Sequence, residues 1–92
     1  MIRHIVMWTF RKGEEEKAEE FLTGLQALDG VIPQIRRMEL RRAEGGDSSA
    51  CLIADFDSFE DLAVYKEDPR HKAVSALCKS IRESRKSIDY TI

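Results

Sequence analysis

The chain has 92 residues, enough for one domain over 1–92, and a domain this small buries only on the order of 60 to 65 % of its unfolded surface, so a homo-oligomer is expected. Charged residues make up 35 % and hydrophobic residues 42 %, which excludes a disordered or membrane-embedded chain. A formal net charge of -2 argues against a general nucleic-acid partner, and the absence of a long apolar run or a signal-peptide core points away from the membrane and to the cytoplasm.

Ile2 to Phe10 reads as a first strand. Its even positions, Ile2, His4, Val6, Trp8 and Phe10, form a face that is apolar apart from His4. The odd positions, Met1, Arg3, Ile5, Met7 and Thr9, are mixed, and this second face is expected to meet a partner subunit. Lys12-Gly13 ends the strand, and Glu14, Glu15 and Glu16 stand where acids favour a helix start. Ala18, Phe21, Leu22, Leu25 and Leu28 recur at helical spacing up to Asp29-Gly30. A second strand is expected from Ile35 to Ala43, a turn over Glu44-Gly45-Gly46-Asp47-Ser48-Ser49, and a third strand from Ala50 to Phe56.

Ser58-Phe59-Glu60-Asp61 has the form of a capping box opening a helix with Leu62, Ala63 and Tyr65. Pro69 breaks this helix, because proline disfavours the α conformation at the residue before it. The helical pattern resumes at Val74, Leu77, Cys78 and Ile81, and Ile88, Tyr90 and Ile92 alternate as a last strand. The resulting order, βαββαβ, predicts an α+β ferredoxin-like fold: a four-stranded antiparallel sheet with the helices on one face.

Arg36, Arg37, Arg41 and Arg42 form a basic run, read as the charged edge of a strand in preference to an anion site. Cys51 and Cys78 lack Cys-x-x-Cys spacing and read as small buried hydrophobes in a reducing compartment. The two histidines, His4 and His71, lie far apart in sequence and supply too few ligands for a metal site.

In the ferredoxin-like strand order the first and last strands are neighbours, so His4 and Asp89 are expected on adjacent strands facing the helices, with Leu52 and Ala54 joining them from the third strand. Val6, Trp8, Phe21 and Leu25 would complete a small apolar pocket. Near its rim, Tyr65-Lys66-Glu67-Asp68-Pro69-Arg70-His71 sets a tyrosine and a histidine about the helix break. A histidine with one nitrogen held by an acid is a suitable general base, and a tyrosine hydroxyl a suitable donor to a developing enolate. Each residue also has an ordinary structural role: His4 as a hydrogen-bonded core histidine, Tyr65 as a core aromatic, His71 as a helix-start residue.

Ile2-Arg3-His4-Ile5-Val6, Phe56-Asp57-Ser58, Tyr65 through His71 and Ile88-Asp89-Tyr90 together resemble the stress-responsive dimeric α/β-barrel (Dabb) family over essentially the whole chain. The resemblance implies a homodimer in which the uncovered sheet faces of two protomers pack as a barrel. It extends distantly to olivetolic acid cyclase, a plant member that closes a linear polyketide without metal or organic cofactor. On that likeness Tyr65 and His71 are the catalytic residues, Asp89 the acid supporting the histidine, and His4 a further pocket residue. The chain departs from the family pattern where His-Pro-x-His is frequent, reading Asp68-Pro69-Arg70-His71, and has Leu25 and Ala50 at two polar pocket positions. The implied function is a cofactor-free acid/base enzyme of cyclase or isomerase type acting on a small apolar carbonyl compound. The alternatives are a non-catalytic stress-response or ligand-binding homodimer and a cofactor-independent monooxygenase.

Overall fold

The computed structural model describes residues 1–45 and 47–92. The apolar alternation of the first nine-residue segment forms β1 (Ile2–Phe10), whose even side chains are all buried, as the two-residue period of a strand dictates. Three further strands follow in sequence: β2 (Arg37–Arg42), β3 (Ser49–Phe56) and β4 (Arg82–Thr91). They assemble in the order β2-β3-β1-β4, every neighbouring pair antiparallel. This is the expected α+β ferredoxin-like sheet.

Helices α1 (Glu15–Gln26), α2 (Phe59–Glu67) and α3 (Pro69–Ile81) bury one stripe each against the even face of β1. Phe21, Leu22 and Leu25 of α1, Leu62 and Tyr65 of α2, and Cys78 and Ile81 of α3 join Val6, Trp8, Leu52, Ala54 and Phe56 in one core. The first helix is shorter than its apolar repeat. It ends at Gln26, where Leu28 N–H turns to the Leu25 carbonyl at 3.1 Å, yet Leu28 stays buried in the turns that follow. The second strand likewise begins at Arg37, not Ile35, because Ile35 closes a turn onto Ile32 at 3.1 Å. In the expected 44–49 turn, Gly45 has φ 75°, a value that favours glycine, and Gly46 lies outside the described residues.

The junction at Pro69 has a specific local cause. Asp68 leaves α2 with φ -61° and ψ 130°, and its carboxylate accepts the Arg70 backbone N–H at 2.8 Å, so it caps α3. Pro69 then occupies the first turn of α3, where its missing N–H costs no hydrogen bond and its fixed φ suits the helix. The aspartate standing at a frequent histidine position thus has a structural duty.

The last strand departs most from expectation. It begins at Arg82, directly after α3, six residues before the Ile88 alternation. Arg82 to Ser87 carries no apolar periodicity because this is an edge strand with both faces largely open to solvent. Pairing with β1, not burial, fixes its conformation.

Among the described residues, no helix covers the odd face of the sheet. There Arg3 donates to both oxygens of Asp55 at 2.9 and 3.0 Å, while Met7 and Ile88 are each 60 % exposed. The basic run in and just before β2 meets acids throughout: Arg36 with Asp57, Arg37 and Arg41 with Glu39, and Arg42 with Glu19.

Candidate active site

Strand register places His4 opposite Asp89 on β4 and Ala54 on β3. The His4 side chain is buried, and its Nδ1 lies 2.5 Å from Asp89 Oδ1. A carboxylate only accepts, so Nδ1–H is the donor and Nε2 keeps its lone pair. The second Asp89 oxygen lies 3.8 Å from Lys66 Nζ. Burial pushes the His4 pKa below its ordinary value, against the opposing pull of Asp89.

Tyr65 and His71 stand on either side of the α2–α3 junction, with ring centroids 4.3 Å apart. His71 Nδ1 lies 3.3 Å from the Lys66 carbonyl oxygen. That oxygen can only accept, so this imidazole too presents Nε2 as its free base. Burial lowers the His71 pKa, and the nearby His4 and Arg85 act in the same direction. Tyr65 is 1 % exposed, and among the described residues its hydroxyl has no hydrogen-bond partner. Burial drives its pKa upward, so the phenol stays protonated.

These groups meet at a cavity of about 30 Å³. Its walls include His4, Val6 and Trp8 from β1, Phe21 and Leu25 from α1, and Leu52 from β3, together with Tyr65 and His71. Trp8 meets Phe21 edge to face at 5.1 Å. Ala54 sits beside His4 in register but does not line the space, and Asp89 stands behind His4. The acid expected to support His71 therefore pairs with His4, and His71 is held by backbone instead.

Five wall residues escaped the sequence reading: Val74, Ser75 and Cys78 of α3, and Arg82 and Arg85 of β4. The first three follow from His71 by helical spacing, since residues three, four and seven positions on share its face. The arginines required the true start of β4. A wider surface groove of about 290 Å³ beside Phe10, Ala18 and Leu22 contains none of the expected site residues and is lined by the paired Arg42 and Glu19.

Chemically, the cavity combines two imidazoles, each with Nδ1 tied and Nε2 without a partner among the described residues, and one phenol donor. That set can remove a proton, return it, and hydrogen-bond an oxygen gaining negative charge.

Comparison with known proteins places this geometry in a family. A dimeric ferredoxin-like protein of unknown function from Bacteroides fragilis is 28 % identical, with a TM-score of 0.85 over 99 % of this chain and 95 % of that one. A hydroxynitrile lyase from Passiflora edulis is 14 % identical, with a TM-score of 0.85 over 99 % and 92 % of the two chains. SnoaB, a cofactor-independent oxygenase from Streptomyces nogalater, is 15 % identical, with a TM-score of 0.84 over 99 % and 91 %. At such identities the last two share the fold alone. No curated protein matches the chain. The stress responsive A/B barrel domain model matches residues 2–92, and with four antiparallel strands and the helices on one face behind that match, the chain belongs to this family.

Proposed function

We propose that this single-domain chain forms a cytoplasmic homodimer through its uncovered sheet face, and that each protomer performs cofactor-free acid/base chemistry of cyclase or isomerase type on a small carbonyl compound. The observation that carries this reading is the Tyr65 hydroxyl, buried at the same cavity as two histidines and without a hydrogen-bond partner among the described residues. His71 Nε2 takes a proton from carbon next to the carbonyl, and the Tyr65 hydroxyl donates to the developing enolate oxygen. The imidazolium then returns the proton to another carbon, which is isomerisation, or to the alkoxide formed on ring closure. His4, held by Asp89, is the second base at the same cavity. The cavity holds about one water as it stands, so a substrate enters by displacing wall side chains of the exposed edge strand.

The test needs no known substrate. A panel of small ketones and 1,3-dicarbonyl compounds is incubated in D2O, and proton NMR follows exchange of hydrogen next to the carbonyl. The intact protein is expected to accelerate exchange on at least one compound, and His71→Ala to abolish it with the dimer intact by sedimentation. Undiminished exchange in His71→Ala removes the mechanism. The water-sized volume favours a second reading, a non-catalytic stress or ligand-binding homodimer, which predicts no exchange on any compound. The fold shared with SnoaB motivates a third, cofactor-independent monooxygenation, which predicts oxygen uptake with a quinol-like substrate.

A further inference from the structure

The cavity has a charged end that the acid/base reading does not use. Nine arginines occur in the chain, and six of them form ion pairs with aspartate or glutamate. Arg11 donates to the Ser80 carbonyl. The remaining two, Arg82 and Arg85, have no acid within ion-pair distance among the described residues, and both line the cavity. Arg85 reaches only the Ser87 hydroxyl, at 3.3 Å.

A break in the β1–β4 ladder brings the two together. From Ile2↔Thr91 to Thr9↔Ser84 the pairing is regular, and then Phe10 faces Arg82, leaving Glu83 as an extra residue. In an unbroken ladder Glu83 would stand opposite Phe10, on the same side of the strand as Arg85, Ser87 and Asp89. The bulge sets Arg82 opposite Phe10 instead. Bulges re-aim side chains in this way next to functional sites. Tyr65 lines the same space, and its deeply buried hydroxyl has no hydrogen-bond partner among the described residues.

We propose that this cavity takes an oxo acid, a carbonyl compound bearing a carboxylate, with the carboxylate held by Arg82 and Arg85 and the carbonyl oxygen accepting from the Tyr65 hydroxyl. Paired guanidinium forks match a carboxylate in geometry as well as charge. The inference rests on the acid/base reading for its choice of a carbonyl compound; the preference for an anion stands on the arginines alone.

Three acids, 2-oxobutanoate, acetoacetate and 4-oxopentanoate, are titrated by protein-observed NMR alongside the methyl ester of each. At least one acid is expected to bind about tenfold more tightly than its ester, the scale of one charge-assisted hydrogen bond. Arg82→Gln and Arg85→Gln should each weaken that acid about tenfold while leaving the ester unchanged. The ester thus serves as an internal check that the variants remain folded. Arg36→Gln, at a surface pair with Asp57, should change neither. The proposal is overturned if no acid outbinds its ester, or if the two variants weaken acid and ester alike. Charge-selective binding with no hydrogen exchange would remove the acid/base reading and keep the anion site. Exchange on neutral ketones without any preference for acids would do the reverse.

Discussion

Tyr65 separates packing from hydrogen bonding within a single side chain. Its ring packs 5.0 Å from Phe56 and 4.3 Å from His71, but its hydroxyl meets no partner among the described residues. A buried hydroxyl without a partner costs free energy, so Tyr65→Phe should leave stability unchanged or raise it by about 1 kcal/mol. The same change should abolish hydrogen exchange; chemical denaturation and the D2O assay measure the two effects. The histidines give a pH signature of definite sign. Burial holds both below their ordinary pKa, so the unfolded chain binds more protons as pH falls below about 6.5. Stability therefore drops through that window and levels off once both native imidazoles are charged. The denaturation midpoint should be lower at pH 5 than at pH 7.5, with His4→Asn showing a smaller difference. Asp68 belongs to another range, because Arg70 holds it at about 2, and its contribution persists until pH falls below the ordinary aspartate pKa toward that value.

Among the elements, the contact between α1 and α3 is the most open to improvement. Gly24 lies inside α1, and a Cβ added there would meet Val74 at 3.5 Å, an ordinary contact. Glycine in a helix interior costs roughly 1 kcal/mol relative to alanine. Gly24→Ala should therefore stabilise the fold by about 0.5–1 kcal/mol, read as a rise of several degrees in Tm by calorimetry. The elements also mark where sequence reading succeeds and stops. The alternation of β1 identified its buried face, and strand parity put His4 and Asp89 on one side, because burial writes a two-residue period into the chain. The first half of β4 carries no such record, as most of its residues are exposed, and so no period in the sequence marks Arg82 and Arg85 as wall residues. The choice of His4 over His71 as the partner of Asp89 was equally hidden. It depends on where α3 sets His71, a tertiary distance with no local signal.

For the molecule as a whole, the proposed dimer forms through the open sheet face. Met7 and Ile88 project from it, and the 28 % identical relative is dimeric. Placing a charge in the middle of such an interface leaves it unpaired and desolvated. Met7→Lys should shift the protein from dimer to monomer in sedimentation at micromolar concentration, while circular dichroism keeps the native helix signal. Trp8 points the other way, into the cavity wall against Phe21. It is the sole tryptophan in the chain, so all of the protein's tryptophan fluorescence originates at the wall of the histidine-lined cavity. Anything that enters, whether quencher, oxo acid or bulk solvent, alters the colour or lifetime of that emission, giving a label-free optical reporter of occupancy.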